Sequence, residues 1–329
     1  MTGPPLEARP QTAGDRRVAT PTPSALRAVW ARLRHRPGRW LGGLVGLGAL
    51  LALLAVELFD WAPAYLPGRT EPMRLRILSW NIGKIFFKWD SRASDQDLPA
   101  IVALLGSVDP DIVALQELRD AAQLHRLVEL LGGRYVGEMP IEDRYDRHVA
   151  MLVKPRRGVE FDEVVTTSGR AALAVRIPLA TTTGRVVAVH LDAFDATLRR
   201  TQAEEIIDWL NRAADGGNER EIVVVGDFNF DADFLFAQRR ESTDLGIYRM
   251  LTREFVDVGQ RAGGTTIVDR RLDYIFAKTS SLRPLSIRVL VGQRQRLMDH
   301  DPIVAEFEVV PHAGGGRWRS SLTPRGPRR

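Results

Sequence analysis

The chain contains no cysteine in 329 residues. Disulfides, zinc–thiolate centres and cysteine nucleophiles are thereby excluded, and the redox compartment is left open. Acidic residues are scarce at both ends. Residues 1–40 hold eight Arg against two acids, and residues 311–329 hold five Arg and no acid. The whole chain carries +5, so the segment between these tails carries −6. The basic balance belongs to the tails, whereas a domain built to hold long nucleic acid usually carries a basic surface of its own. Charge is nearly missing from LGGLVGLGALLALLAVELF (41–59), where Glu57 is the one ionised side chain. No internal repeat is present.

That apolar run would span roughly 28 Å as a helix, close to the ~30 Å hydrocarbon core of a bilayer. Trp40 and Trp61 bracket it where interfacial aromatics sit. Its four glycines and lack of a polar face argue against a buried core helix. The 40 residues before it are long for a secretory signal, although Ala62-Pro63-Ala64 loosely resembles a cleavage site. The expectation is a single-pass anchor in the cell membrane. Five Arg between 27 and 40 face Glu57 and Asp60 across it, which predicts a cytoplasmic N-terminus and an extracytoplasmic remainder. The expected organisation is a basic disordered N-terminus (1–40), a transmembrane anchor (41–60), a linker (61–72), a catalytic domain (73–310) and a basic disordered tail (311–329), acting as a monomer.

From residue 73 onward, short alternating apolar runs interleave with helical ones. Alternation predicts strands at 74–81, 110–117, 148–154, 185–192, 221–229, 272–277 and 302–310. Helices are predicted at 97–108, with Ser94 as N-cap, at 121–131, stopped by Gly132-Gly133, and at 199–214. Several strands follow one another without helices, which points to an α/β protein built on mostly antiparallel sheets rather than a doubly wound parallel one.

Six of these strands present a polar residue at one edge: Asn81, Glu117, His190 with Asp192, Asp227 with Asn229, Asp273, and the Asp299-His300-Asp301 entry. A single Asp after a strand is most simply a turn former, but Glu and His are not turn residues. In IVVVGDFNFDADF (222–234), extended geometry aims Asp227 and Asn229 at one site and Phe228 at the core. Gly226 admits a close neighbour, backbone or ligand. His190/Asp192 and Asp299/Asp301 repeat the same spacing. An oxygen-rich set without thiols suits a hard cation such as Mg²⁺ or Mn²⁺. His300 beside acids suits proton transfer, and the combination suits attack of water on phosphorus.

The ordered motifs SWNIG, PDIVALQE, VAVHLDAF, VVVGDFN, LDYIF and MDHDPI resemble the endonuclease/exonuclease/phosphatase superfamily, the deoxyribonuclease I-like proteins, over roughly 74–310. The resemblance implies a four-layer α/β/β/α sandwich and a Mg²⁺- or Mn²⁺-dependent phosphoric ester hydrolase. It implies Glu117 as principal metal carboxylate, assisted by Asn81 and Asp299. It implies His300 oriented by Asp273, Asp227 and Asn229 positioning water and a phosphate oxygen, and His190 as the second histidine. Which histidine is acid and which is base stays open at this point.

One departure stands at DRYDRHVAMLVK (143–154), where many relatives have Asn or Gly before the strand. Arg147 or His148 is then a candidate phosphate contact, with a solvated strand entry as the plainer reading. Arg199 or Arg200, beside the rim loop, is either a substrate contact or a helix-face charge. A non-catalytic module on this fold would lack Glu117, Asp227 or His300, and all three are present. The expected substrate is a phosphodiester, in nucleic acid or, alternatively, in a phospholipid of the sphingomyelin type or a small phosphoester.

Overall fold

The computed structural model describes residues 73–84, 94–141, 147–180, 182–215, 221–238, 241–295 and 297–310. The expected anchor, linker and both tails lie outside the described residues. Among the described residues no helix is long and apolar enough to cross a membrane.

The first sheet is built from β1 (Arg74–Asn81), β2 (Ile112–Leu118), β3 (Val136–Glu138), β4 (His148–Val153), β11 (Leu282–Val289) and β12 (Ile303–Val309), in the order β11-β12-β1-β2-β4-β3. The second holds β5 (Glu160–Val165), β6 (Ala171–Pro178), β7 (Thr183–His190), β8 (Glu221–Asp227), β9 (Val256–Asp257) and β10 (Asp273–Lys278), in the order β5-β6-β7-β8-β10-β9. Both sheets are mixed. Each has one parallel pair at its centre, β1 with β2 and β7 with β8, and antiparallel neighbours on both sides. A parallel pair needs a crossover. Helix α1 (Leu98–Val108) supplies it in the first sheet and α3 (Ala196–Asp215) in the second. The two sheets therefore repeat one strand plan that the sequence does not display as a repeat.

Alternation along the central strands sorts side chains into two cores. In β1, Leu75 and Ile77 enter a core shared by both sheets, while Leu78 and Trp80 pack outward with Ile101 and Leu105 of α1. In β8, Val223 and Val225 enter the shared core, while Val224 packs with Ile206 and Leu210 of α3. Helix α2 (Ala121–Leu130) joins α1 on the first outer face, and α5 (Thr243–Glu254) joins α3 on the second. A short α4 (Ala232–Ala237) follows the β8 loop.

Helix α1 corrects one expectation. Asp97, not Ser94, occupies the N-cap position, and its carboxylate makes no capping bond. That carboxylate accepts instead from Ser94 Oγ (2.8 Å) and pairs with Lys84 Nζ (2.7 Å). Helix α2 is capped by Asp120, whose side chain accepts from the Gln123 N–H, and Gly132 and Gly133 follow it with positive φ. At Gly226 the close neighbour is backbone: φ is 144°, and a Cβ there would lie 2.0 Å from the Val189 carbonyl oxygen of β7. The glycine lets β7 and β8 close up and brings His190 level with Asp227.

At the opposite end of β8, Glu221 is fully buried. Its carboxylate accepts from the backbone N–H groups of Ser280 (3.0 Å), Ser281 (2.9 Å) and Leu282 (3.2 Å). Glu221→Ala strands those donors, each costing about 1–3 kcal/mol when buried and unpaired. Thermal unfolding is expected to fall by about 10 °C, at about 2–4 °C per kcal/mol for a domain of this size. An unchanged melting temperature would show that water replaces the carboxylate.

Candidate active site

The carboxyl ends of the two parallel pairs and the amino ends of their antiparallel neighbours face one mouth. In the second sheet His190, Asp227 and Asp273 stand side by side on β7, β8 and β10, at matched register. In the first, Asn81 ends β1 beside Gln116 of β2. Side chains close the gap between the sheets. Asn81 Nδ2 donates to Glu117 Oε1 (3.2 Å) and to Asp227 Oδ2 (3.0 Å). His190 Nε2 is 3.9 Å from both of those carboxylate oxygens. His300 Nε2 lies 3.7 Å from Asp227 Oδ2, while its Nδ1 is bound at 2.7 Å to Asp273 Oδ2. Six residues from six separate segments thus meet at one place, and all six are buried.

Glu117 reaches the site through a backbone irregularity. The β2–β4 register shifts between Leu115 and Leu118, and Glu117 has φ 65°. A bulge of this kind re-aims a side chain, and a non-glycine residue in the left-handed region stores strain. Asn229 corrects the alternation argument. Its φ of 55° shows that the extended run ends at Asp227. Asn229 stays beside Asp227 because its N–H donates to Asp227 Oδ1 (2.8 Å), while its Nδ2 is committed to the Leu191 carbonyl (2.9 Å). Phe228 does enter the outer core.

Of the repeated spacings, Asp192 and Asp301 do not serve the site. Asp192 is a turn former, accepting from the N–H groups of Phe194 (2.8 Å) and Asp195 (2.7 Å). Asp301 binds the Gly292 N–H (2.9 Å) and Arg294. Asp299 is half-buried, and its charge is felt by both Glu117 and His300. Arg199 is buried and clamped on both oxygens of Asp244 (2.9 Å each), and Arg200 pairs with Glu204 on the helix surface. Both are structural. His148 opens β4, half-buried, opposite Leu118.

Three residues join that were not assigned a role from sequence or were left open. Arg147 Nη1 contacts both oxygens of Glu117 at 3.3 Å. Arg170, at the entry to β6, places Nη1 3.4 Å from His190 Nδ1. Gly83 packs so closely that a Cβ would lie 2.1 Å from Glu117 Oε2. The SWNIG motif contains Gly83, but only tertiary contact shows what its missing side chain makes room for.

These surroundings drive the two histidines apart. Burial lowers the proton affinity of His190 well below the usual range, and the nearby charges of Arg170, His300 and Arg147 push the same way. Burial opposes the charge on His300 too, but Asp273 and Asp227 outweigh it and raise its pKa to about 10. Asp227 is raised, by burial first and then by the charge of Asp273, with His300 opposing. Burial also raises Glu117, against Arg147 and Asn81. At neutral pH the mouth therefore holds a neutral imidazole, an imidazolium and carboxylates of elevated proton affinity.

Residues 78–303 match the model of the Endonuclease/Exonuclease/phosphatase family. The chain belongs to this family. An endonuclease/exonuclease/phosphatase structure from Bacteroides vulgatus superposes with a TM-score of 0.56 at 18% identity, covering 72% of this chain and 99% of that one. The human Nocturnin catalytic domain, solved with a bound sulfate anion, does so with 0.55 at 17%, covering 72% and 95%. Truncated Caenorhabditis elegans TDP2 gives 0.54 at 17%, covering 72% and 98%. No curated protein matches the chain. For an endonuclease/exonuclease/phosphatase domain the donors here fit a hard divalent cation: Glu117 and Asp299 offer carboxylate oxygens, and Asn81 an amide oxygen that also accepts from the Gly83 N–H at 2.9 Å. Ligand atoms of Asp227, Asp273 and His300 also lie within 4.8 Å of one another. The 2.7 Å bond between His300 and Asp273 occupies one ring nitrogen, so we read that trio as a hydrogen-bonded pair beside a carboxylate.

Proposed function

We propose that the chain is a divalent-metal-dependent phosphoesterase that hydrolyses phosphodiester bonds in nuclease-like fashion. The observation that carries this reading is the pair of buried histidines that converge on Asp227, His190 Nε2 at 3.9 Å and His300 Nε2 at 3.7 Å, with the His300 ring held by Asp273 at 2.7 Å. Divergent proton affinities in one site assign acid and base roles. Asp227, with its raised affinity, takes the proton of the attacking water. His300, held cationic, faces the negative charge that builds on the phosphoryl group and is the proton source for the departing oxygen as the P–O bond breaks. His190, neutral and flanked by Arg170, binds a phosphoryl oxygen. Asn81 and Glu117, with Asp299, would hold Mg²⁺ or Mn²⁺, which when bound neutralises phosphoryl oxygens and polarises the phosphorus centre. The sulfate in the Nocturnin domain, a tetrahedral anion of phosphate shape, supports this reading of the fold.

Glu117→Gln is expected to remove hydrolysis of a chromogenic phosphodiester, by about 10³-fold or more, with the far-UV spectrum unchanged. Full activity of the wild-type chain in excess chelator would sink the metal-dependent reading.

A second reading, a phospholipid phosphodiesterase, is favoured by the apolar rim. The four most exposed large apolar side chains among the described residues are Ile141 (90%), Phe194 (85%), Val291 (74%) and Val268 (70%). Each stands on a loop at the mouth end of the sheets: β3–β4, β7–α3, β11–β12 and β9–β10. Exposed apolar groups that share one face mark contact surfaces, and these four share the mouth end of the sheets. The proposed setting is a monomer anchored through 41–60, with the catalytic domain extracytoplasmic. Comparing hydrolysis of DNA, RNA, sphingomyelin vesicles and phosphoinositides separates the two substrates.

A further inference from the structure

The cation already at Glu117 is a side chain. Arg147 Nη1 is equidistant, 3.3 Å, from Oε1 and Oε2. A point equidistant from both oxygens is where a cation held by both of them would sit. The carboxylate cannot retreat from this position. It is buried, its backbone is set by the bulge at φ 65°, Asn81 holds Oε1, and Gly83 packs against Oε2. The guanidinium is the more solvent-reached of the two groups, the Arg147 side chain being 25% exposed against 11% for Glu117. Its backbone is anchored independently, with the Arg147 carbonyl accepting from Arg170 Nη1 at 3.4 Å.

We propose that Arg147 is a resident counter-cation of Glu117, and that a divalent ion binds by displacing its guanidinium. This rests on the metal-dependent reading above and adds a competition to it. A buried carboxylate without a partner is costly. The arginine holds Glu117 paired and in place before the ion arrives, and the ion must outcompete it. Charge alone would make removal of any nearby arginine favour a cation. Displacement makes a further demand: the contribution of Arg147 to stability must vanish once the ion is bound.

The experiment uses the full chain and Mn²⁺ as the probe, comparing wild type, Arg147→Met and Arg147→Lys by titration calorimetry and thermal unfolding, with and without saturating Mn²⁺. Arg147→Met is expected to bind Mn²⁺ about tenfold tighter, to melt below wild type without the ion, and to melt level with wild type when saturated. Arg147→Lys, which keeps the unit charge, is expected to stay within about threefold of wild type. An equal loss of stability with and without Mn²⁺, or an unchanged affinity in Arg147→Met, overturns the displacement while leaving metal binding standing. Absence of any Mn²⁺ binding by wild type overturns the metal-dependent reading itself.

Discussion

Gly83→Ala is expected to lower kcat/KM for a phosphodiester by at least ~10²-fold, because misplacing a reacting group by about 1 Å costs that much. The new Cβ would lie 2.1 Å from Glu117 Oε2 and 2.5 Å from its carboxyl carbon. Gly83 is not among the residues with positive φ, so alanine brings no backbone strain. The clash must be relieved by moving Glu117, whose backbone is already pinned in the left-handed region. Movement of Glu117 breaks its contacts with Asn81 and Arg147 and removes the principal oxygen offered to a cation. The fold should survive, since the inter-sheet core contains neither Gly83 nor Glu117. Hydrolysis, Mn²⁺ titration and circular dichroism on one preparation check this. Near-wild-type turnover would mean that Glu117 has slack and that the tight mouth is not needed.

The second large effect concerns the His300–Asp273 pair. His300→Ala should lower kcat by about 10²–10⁴, the range for a positioned proton donor. Asp273→Asn should approach the same loss, and the double variant should be little worse than His300→Ala alone, because the acid acts through the ring it holds at 2.7 Å. Independent, additive losses would contradict the pairing. The pH dependence follows in sign. The folded-state affinity of His300 is raised from 6.5 to about 10. Its imidazolium is thus present below that value, and activity that needs it falls as pH rises through about 10. Stability from the pair is likewise complete below about 6.5 and lost as pH climbs through the folded value. In Asp273→Asn the alkaline limb should move toward neutrality. A limb that stays in place would assign it to another group.

Alternation and β-branched runs announced seven of the strands, because a strand buried on at least one face must carry its apolar residues with period two. The edge strands β3 and β9 are two or three residues long, and β5 and β11 expose much of their length, so no such pattern marks them. The fifth unmarked strand, β6, is buried along most of its length, but AALAVRIP is apolar nearly throughout and shows no alternation. Helix α5 was missed although Ser242 caps it, accepting from the Leu245 N–H. The bulge that turns Glu117 toward the mouth is set by pairing with β4, not by local preference. Asp192 and Asp301 share the spacing of the site residues yet serve turns, since spacing does not say which neighbour lies across the gap.

The amino-acid sequence alone determined which residue types stand at the strand ends, and the order of those motifs identified the family. Local pattern records what each segment must bury and what it leaves exposed, and strand ends are written in that code. Only the tertiary structure decided that Arg147 sits on Glu117, that Gly83 makes room for that carboxylate, and that burial favours a neutral His190 while Asp273 and Asp227 favour a charged His300. Those outcomes depend on distances between residues 20 to 110 positions apart in the chain. Electrostatics and steric contact act through space, so they are settled once the two sheets have been brought face to face.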